Sequence, residues 1–393
     1  MTRGPVSLRE VALEWGRIGV TGFGGPPAHI ALLRRLVVND RGWLSAVEFE
    51  DGVSACNLLP GPASTQLAIF CAYRVAGRRG GLIGGLAFIV PAVVIVLALS
   101  LLFLAHAPPH WIVGAGAGAG SAIAAVAVSA SLALLVPSWR RARAGAGGGR
   151  PARWTLYALF GIASAALIGP WLVLVLIVCG FAELAWVATR PTSGADLRVQ
   201  AWPALLAAGA VGAAGAGGIG ALAWEAFKVG ALSYGGGFVI IPLMQTDAVH
   251  TYHWMTSTQF LNAVALGQVS PGPVVATVAA VGYAAHGIAG GALAAVIAFA
   301  PSFAFVLGGG GRFEQLRASP RAQAFLDGAG PAAIGAILGA AIPLANALRH
   351  GWQFAVLAAA MLALLVLRRG VVATLLGAGV VGVVVSLAGG AVG

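Results

Sequence analysis

The sequence predicts an all-α integral membrane protein built from two inverted-topology repeats, and three observations support this fold class. Of the 393 residues, 59% are hydrophobic and only 9% are charged, whereas a soluble domain carries about 25% charged residues. Long apolar runs without alternation, such as 82–105 and 122–136, favour helices over the alternating strands of a membrane β-barrel. A sequence pattern also recurs at constant spacing, and the arginine bias of corresponding loops is reversed between its copies.

The first half of the chain begins with two broken elements. Residues 8–38 are interrupted at 24–26 and residues 47–77 at 60–62. No arm of these elements has the roughly 20 apolar residues that a membrane span needs. The remaining predicted elements of this half are spans at 81–104 and 111–137, an arginine-rich loop at 138–153, and two shorter helices within 154–188 hinged at 169–170.

The second half follows an apolar segment at 202–221 that has no counterpart in the first half. This organisation predicts an N-terminal repeat at 1–190, a linker with one transmembrane helix at 191–221, and a C-terminal repeat at 222–393. The predicted elements of the second repeat are a segment at 222–250 broken at 235–237, a segment at 258–285 broken at 271–273, spans at 288–308 and 324–348, and a pair at 352–367 and 371–391 hinged at 368–370.

The two halves align without gaps at a constant offset of 211 residues from about residue 12 to residue 62. Glycine matches carry little weight in a chain with 58 glycines, but matched tryptophans and an intact Pro-Gly-Pro in one register indicate a duplication. Arg17 is matched by Lys228, which keeps the positive charge. The identical pairs include Glu14/Glu225, Gly19/Gly230, Gly24/Gly235, Gly25/Gly236, Trp43/Trp254, Phe49/Phe260, Pro60/Pro271, Gly61/Gly272 and Pro62/Pro273.

Arginine placement predicts the orientation, because cytoplasmic loops collect Arg and Lys. The arginines of 138–153 place that loop inside, and counting from it puts the N-terminus in the cytoplasm and the C-terminus outside. The uncharged loop at 105–110 is then outside, whereas its counterpart at 309–321, which contains three arginines, is inside. Corresponding loops face opposite sides, and inverted repeats with broken helices are typical of secondary transporters.

The broken elements allow two span counts. If each crosses the membrane, the chain has 13 spans; if each is a re-entrant hairpin, it has 9 spans plus 4 hairpins. The loop after the first break carries Arg34, Arg35 and Arg41, whereas its counterpart at 245–256 carries no Lys or Arg. Hairpins put the first loop inside and the second outside, as the positive-inside rule prefers, so we favour hairpins.

The breaks predict an anion site inside the membrane. A helix that restarts after Pro26 or Pro62 exposes unpaired backbone N–H groups at the positive end of its dipole, where oxyanions bind. The alternative is that the breaks are kinks satisfied by neighbouring groups. The first Pro-Gly-Pro has the more polar neighbours, which predicts that its half reads the ligand. The residues predicted to bind substrate at the breaks are Gly24, Gly25, Pro26, Asn57, Pro60, Gly61, Pro62, Ser64, Thr65 and Gln66, together with Gly235, Gly236, Gln268, Ser270, Pro271, Gly272 and Pro273.

Charged residues lie on the arm that leads into the first break of each half. Arg17 and Lys228 precede the breaks by seven residues, and a cation in a membrane segment is a functional hypothesis by default. We predict that both attract the anion, with an ion pair to Glu14 or Glu225, three residues earlier, as the equal alternative. Glu14 and Glu225 are also candidates for proton coupling, because a carboxylate in a low-dielectric site can titrate near neutral pH.

The remaining residues with chemical potential show no functional spacing. The seven histidines, among them His29, are expected in loops or at the membrane interface. Cys56, Cys71 and Cys179 lie in apolar segments and are predicted to be packed free thiols. Glu48 and Glu50 are expected to be solvated at a hairpin mouth. No metal or cofactor is predicted.

At the breaks, the sequence resembles the chromate ion transporter family, the CHR superfamily, in its long two-domain form. The motifs Phe23–Pro26, Asn57–Pro62 and Gln268–Pro273 carry a resemblance that covers nearly the whole chain. The second half departs from the first by having Gly237 where the first has Pro26. The resemblance implies a plasma-membrane carrier that exports chromate with the proton motive force and gives chromate resistance. Sulfate is also a tetrahedral dianion, so a permease for sulfate or another oxyanion is the alternative.

Other function classes fit the sequence less well. The absence of a Walker motif argues against ATP-driven transport. The spans contain no His-Glu-x-x-His and no Ser/His/Asp grouping, so no enzyme is predicted, and a non-transporting membrane sensor remains as the alternative from another class. The net charge of +11 reflects topology rather than nucleic-acid binding. The predicted partners are chromate or a similar oxyanion, protons and the lipid bilayer, and a homodimer is left open.

Overall fold

Helices are the only regular secondary structure in the described part of the chain. A computed structural model describes residues 6–56, 59, 61–105, 107–144, 149–168, 172–189, 217–233, 240–309 and 319–392. These residues form α-helices with short π-helical and 3₁₀ segments, and no strand occurs among them, which confirms the all-α class. Asn57, Pro60, the break at 235–237, the hinge at 169–170 and nearly all of the predicted segment at 202–221 lie outside the described residues.

The helices of the first half follow the predicted order. Both predicted breaks are confirmed, because helices end before residues 24 and 60 and restart at Gly25 and Ala63. The bounds are α1 Leu8–Thr21, α2 Gly25–Arg34 continued by a π-helix at Arg35–Asp40, α3 Ala46–Cys56, α4 Ala63–Phe103, α5 His110–Ser121, α6 Ile123–Ala144, α7 Arg150–Ala163 continued by a π-helix at Ser164–Ile168, and α8 Leu172–Ala188.

The second half repeats these elements in the same order. Its first helix has the same 14-residue length as α1 and begins 211 residues later, and its last helix has the same 17-residue length as α8. The bounds are α9 Ile219–Leu232, α10 Ile240–Gln245 continued by a π-helix at Thr246–Thr251, α11 Ser257–Val269, a 3₁₀ turn at Val274–Ala276 leading into α12 Thr277–Gly309, α13 Pro320–Asn346, α14 Gly351–Met361 continued by a π-helix at Leu362–Val366, and α15 Val371–Leu387.

Helix α4 consists of two antiparallel arms. Gly77 adopts φ 66° and ψ −164°, which is outside the helical region and open to glycine because it has no Cβ. A methyl group on Gly85 would lie 2.7 Å from Cγ1 of Ile69, a contact that a straight helix would forbid. The chain therefore reverses between a short arm at 63–75 and a long arm at 78–103. Helix α12 reverses in the same way at Gly287, with φ 65° and ψ −158°.

In three of the broken elements, the segment before the break lies beside the segment after it. A methyl group on Gly52 of α3 would lie 2.5 Å from Cε1 of Phe70 on the short arm of α4, so these two helices run side by side. Glu14 of α1 pairs with Arg41, beyond the end of α2. In the second half, Lys228 of α9 pairs with Asp247, in the π-helix after α10. An 11-residue helix such as α3 is about 16 Å long at 1.5 Å per residue, shorter than the ~30 Å hydrocarbon core.

Several helices are long and apolar enough to cross a membrane. This confirms the integral membrane class for the described residues. The four longest candidate segments are Ala63–Phe103, His110–Ala144, Val274–Gly309 and Pro320–Asn346, and the shorter apolar helices are Leu172–Ala188, Gly351–Val366 and Val371–Leu387.

Two sequence predictions about the first half need correction. The predicted loop at 138–153 is wrong, because α6 continues to Ala144 and α7 begins at Arg150. Arginines favour the last turn of α6, where the helix dipole is negative, and Trp139 packs edge-on against Trp154 with ring centroids 5.0 Å apart. The predicted span at 111–137 is confirmed as a candidate membrane span, His110–Ala144, but its helix is interrupted at Ala122, between α5 and α6.

The two halves pack through their equivalent long arms. A methyl group on Gly85 would lie 2.5 Å from Cε1 of Phe303, and one on Gly291 would overlap with Cδ2 of Leu97. Residue numbers therefore rise along the long arm of α4 as they fall along the long arm of α12. These two equivalent segments run antiparallel where the two halves meet.

Close packing of glycines joins α5 of the first half to α15 of the second. Gly382 packs directly on the backbone of Gly114, and Gly118 lies against Ala378 and Gly382. Contacts of this kind are typical of helix pairs in membranes, where small residues let the backbones approach. No side chain larger than hydrogen fits at Gly382 without separating the helices.

We expect Gly382→Val to lower the melting temperature of the detergent-purified protein strongly, because a side chain there must displace the α5 backbone. Overpacking of this kind costs about 1–3 kcal/mol or more. Gly377→Val is the matched control on the same helix, since a Cβ on Gly377 meets nothing within 4 Å. Equal melting temperatures for the two variants would contradict the packing described for this pair.

Candidate functional site

The breaks of the two halves meet crosswise in the core. The backbone N–H of Gly272, in the second Pro-Gly-Pro, donates to the carbonyl of Gly22, next to the first break of the other half, at 3.0 Å. A methyl group on Gly61, in the first Pro-Gly-Pro, would lie 3.2 Å from the carbonyl oxygen of Gly230 in α9. Each Pro-Gly-Pro thus touches the first helix of the opposite half.

The helices that restart after the described breaks lack side-chain caps. Gly24 precedes α2 in a left-handed conformation, and Pro62 and Pro273 precede α4 and the 3₁₀ turn, all without a capping side chain. Proline occupies the first turn of α2, as the sequence predicts. Such helix starts present N–H groups at the positive end of the dipole, which suits an anion.

His29 connects two of these breaks and was not recognised from the sequence. The prediction of a loop or interfacial position is wrong, because His29 is fully buried. Its Nε2 lies 2.8 Å from the carbonyl oxygen of Gly22, and its Nδ1 lies 3.4 Å from Oγ of Ser64. A carbonyl only accepts, so Nε2 carries the proton and donates. The available signal was its place in the second turn of the helix that starts at the break.

The first Pro-Gly-Pro is surrounded by buried polar groups. Ser64, Thr65 and Gln66 are all at most 2% exposed, and a methyl group on Gly61 would lie 2.6 Å from Nε2 of Gln66. Oγ1 of Thr65 has no hydrogen-bond partner among the described residues. Polar atoms without partners are costly in a protein interior, and here they indicate a place for a ligand.

Two buried serines of the second half were missed by sequence reasoning, and one of them, Ser302, lies beside the first Pro-Gly-Pro. Ser302 and Ser233 are fully buried, and neither hydroxyl has a partner among the described residues. Oγ of Ser302 would lie 3.5 Å from a methyl group on Gly61. The available signal for Ser302 was its place directly after Pro301, inside a predicted span.

The side-chain hydroxyls near the second Pro-Gly-Pro, unlike that of Thr65 near the first, have hydrogen-bond partners in the described part of the chain. They bond to nearby backbone, with Ser270 donating to the carbonyl of Gly267 at 3.3 Å and Thr277 to that of Val274 at 2.7 Å. Ala92 of α4 packs against Gly272. Nε2 of Gln268 is the exception, since it is buried and has no partner among the described residues.

Lys228 lies in a buried cluster with two carboxylates. Its Nζ is 2.7 Å from Oε2 of Glu225 and also contacts Oδ2 of Asp247. Glu225 is fully buried, and Lys228 has 12% of its side chain exposed. Lys228 thus makes the ion pair that the sequence offers as the alternative to ligand attraction. Asp247 was missed; the signal was a single acidic residue in the apolar stretch 238–250.

The equivalent cluster of the first half is open to the surface. Arg41 pairs with Glu14 and lies 3.4 Å from Oε1 of Glu10. Arg17, the counterpart of Lys228, is exposed on the outer face of α1 and makes no ion pair within the described ranges. The two repeat-related cations therefore lie in opposite environments.

Glu48 and Glu50 lie at the hairpin mouth, as the sequence predicts, but both are ion-paired. Glu48 contacts Arg74, and Glu50 lies 3.3 Å from Nε of Arg34. Hydrogen bonds from the backbone and hydroxyl of Ser45, together with Arg74, lower the pKa of Glu48. Cys56, Cys71 and Cys179 are free and buried, which confirms the prediction of packed thiols.

Comparisons with known proteins give one consistent result. The family model described as chromate transporter matches residues 9–184 and 220–383. The chromate transport protein of Cupriavidus metallidurans is 29% identical over 344 residues, which cover 86% of this chain and 83% of that protein. The chromate transport protein of Pseudomonas aeruginosa is 29% identical over 355 residues, covering 87% and 82%. The probable chromate transport protein of Synechococcus elongatus is 27% identical over 349 residues, covering 88% and 86%.

No solved structure matches the chain significantly. The family match includes most of the residues of both halves, and with them the breaks that meet in the core. By this match, the chain belongs to the chromate transporter family.

Proposed function

We propose that this protein is a secondary active transporter that exports chromate across the plasma membrane, coupled to the proton motive force, and so gives chromate resistance. The observation that carries the proposal is the meeting of breaks from both halves in a buried core, where helix starts lack side-chain caps. Membership of the chromate transporter family, and relatives named as chromate transport proteins, support the substrate.

The two halves act as inverted repeats in this proposal. Antiparallel packing of the equivalent long arms of α4 and α12 supports opposite orientations. Arginine placement agrees, because Arg368 and Arg369, between α14 and α15, fall on the same side as the arginines at the end of α6 when the proposed span within 191–221 is included in the count. The N-terminus is then cytoplasmic and the C-terminus outside. The proposed units are residues 1–190, a linker with one span at 191–221, and residues 222–393.

The broken elements are proposed to enter and leave the membrane on the same side, as four re-entrant hairpins beside nine spans. The side-by-side packing of α3 with the short arm of α4 supports this assignment over 13 spans. Irregular backbone at membrane depth is tolerated where protein surrounds it, and the described residues of the two Pro-Gly-Pro turns are buried. Access to the tips then alternates as one half moves against the other.

The proposed substrate site comprises the predicted residues at the breaks, with the first Pro-Gly-Pro as its centre. Backbone N–H groups and hydroxyls would bind the oxygen atoms of the dianion. Arg17 is proposed to attract the anion from the exposed face of α1, and Lys228 to act through its cluster rather than by direct contact, since both carboxylates already hold its Nζ.

Proton coupling is proposed at Glu225 and Asp247, with Glu14 as the counterpart in the first half. Two carboxylates that share one ammonium group lie close enough to couple their titrations, so that one proton binds to the pair. A buried pair of this kind in a membrane segment can carry a proton between the two sides.

Flux measurements test the proposed function. Purified protein in proteoliposomes is expected to move radiolabelled chromate, and an imposed pH gradient is expected to increase the rate severalfold. Protein-free liposomes and a proton ionophore are the controls. Absence of chromate movement in both directions would overturn the proposal.

A permease for sulfate or another tetrahedral oxyanion is the second candidate. The observation that favours it is the donor set, because hydroxyls and backbone N–H groups bind the shape and charge that chromate and sulfate share. Competition in the same vesicles separates the two. Sulfate movement without chromate movement would replace the first candidate with the second.

A further inference from the structure

The side chains that pack on the two Pro-Gly-Pro turns occupy equivalent positions of the repeat, but one is a serine and the other is an alanine. Pro91 lies within α4 and Pro301 within α12, and the next residues are Ala92 and Ser302. Ala92 packs on Gly272, and Ser302 packs on Gly61. Each turn therefore meets the residue after the helix proline of the opposite half, but one contact is apolar and the other carries a hydroxyl.

The turn that meets Ala92 is closed by hydrogen bonds. Gly272 donates to Gly22 at 3.0 Å, and the same carbonyl accepts from Nε2 of His29 at 2.8 Å. A methyl group on Gly272 would lie 2.6 Å from Cβ of Ala92, so an apolar side chain covers this turn. In the second half, the position equivalent to His29 is the apolar Ile240, 211 residues later. The hydrogen bond that His29 donates to Gly22 therefore has no counterpart there.

The turn that meets Ser302 has nearby hydroxyl groups that are free to bind a ligand. The hydroxyls of Ser302 and Thr65 are fully buried and have no partner within the described parts of the chain. Oγ of Ser302 points at Gly61, at the start of α4. An uncapped helix start and an unpartnered hydroxyl from the opposite half thus converge on one point.

We propose that Ser302 donates its hydroxyl to a tetrahedral oxyanion held at Gly61, so that the two halves contribute unequally: the first Pro-Gly-Pro binds and the second is a structural joint. This inference rests on the proposed function, adds Ser302 to its substrate site and removes the second Pro-Gly-Pro from direct contact with the anion. Thr65 supplies a second hydroxyl from the first turn of α4. Because Ser302 belongs to the second half and Thr65 to the first, movement of one half against the other would change the hydrogen bonds to the anion.

Paired variants test the role of Ser302. Ser302→Ala is expected to raise the half-saturating chromate concentration about tenfold or more, since a hydrogen bond to a charged group is worth at least that factor. Its melting temperature without anion should not fall, because the hydroxyl has no partner to lose. Ala92→Ser, the repeat-related control, is expected to leave the half-saturating concentration unchanged. Thermal stabilisation by chromate and by sulfate gives a second readout independent of transport.

The outcomes separate this inference from the proposed function. Wild-type anion affinity in Ser302→Ala, alongside active wild-type transport, would overturn only the role of Ser302. A lower melting temperature without a change in affinity would assign Ser302 to structure and also overturn it. A wild-type protein that neither moves nor is stabilised by either anion would refute the proposed function and this inference together.

Discussion

Replacement of Lys228 with methionine is expected to destabilise the protein severely. Methionine keeps the length and apolar stem of the side chain but removes the ammonium group that Glu225 and Asp247 share. Leaving a buried charge without its partner costs about 3–5 kcal/mol, which is a large part of the 5–15 kcal/mol that typically holds a fold together. We expect a much lower yield of monodisperse protein and a clearly lower melting temperature.

Arg17→Met is the matched control for this prediction. It removes a cation at the equivalent repeat position, but Arg17 is exposed and has no ion pair within the described residues. Exposed charges contribute at most about 1 kcal/mol, so its melting temperature should stay near that of the wild type. Equal losses of melting temperature in the two variants would show that Lys228 does not lie in the buried ion-pair cluster described here.

A neutral version of the cluster separates stability from coupling. Combining Lys228→Met with Glu225→Gln and Asp247→Asn removes all three charges, so no carboxylate remains unpaired. We expect this variant to recover most of the lost melting temperature. If the cluster carries the proton, chromate movement in proteoliposomes should no longer respond to a pH gradient. A preserved response would exclude Glu225 and Asp247 from coupling.

Gly61→Ala is expected to reduce chromate movement by at least about tenfold while most of the protein still folds. Gly61 has φ +115°, which disfavours any residue with a Cβ, and such strain costs about 1–3 kcal/mol. The methyl group would also lie 2.6 Å from Nε2 of Gln66 and 3.5 Å from Oγ of Ser302. It would occupy the point at which the proposed oxyanion donors converge.

Gly389→Ala controls for the backbone strain. Gly389 has φ +79° and no atom within 4 Å of the added methyl group, and it follows α15 far from the breaks in sequence. We expect a comparable loss of stability with normal chromate movement per folded molecule. If the two variants transport equally well, Gly61 does not line the substrate path.

Much of the architecture was readable from local sequence. Long apolar runs require helices, because backbone polar groups in lipid must be satisfied within the segment. The breaks were equally visible at 24–26 and 271–273, because glycine and proline interrupt helices by covalent geometry alone. The constant offset of 211 residues predicted that the second half repeats the elements of the first, and α1 and α9 have equal lengths at that offset.

The helix ends were less predictable where neighbours decide them. Residues 138–144 looked like a charged loop, yet they continue α6, because Trp139 gains a packing partner in Trp154. His29 looked like an interfacial residue, yet it is buried where Gly22 and Ser64 meet its two ring nitrogens. Neither outcome depends on the residue and its immediate neighbours in the chain; both depend on segments that folding brings alongside.

Periodicity, glycine–proline breaks and repeated register were therefore sufficient to predict an all-helical membrane protein with paired breaks, because these properties arise from residues close in sequence. The sequence also predicted that the half with the more polar Pro-Gly-Pro reads the ligand, but it did not predict which residues of the opposite half each turn would meet. Identical Pro-Gly-Pro turns face Ala92 in one case and Ser302 in the other, and equivalent cations are exposed in one half and buried in the other. Those differences exist only once the chain is folded, because each turn takes its environment from the opposite half.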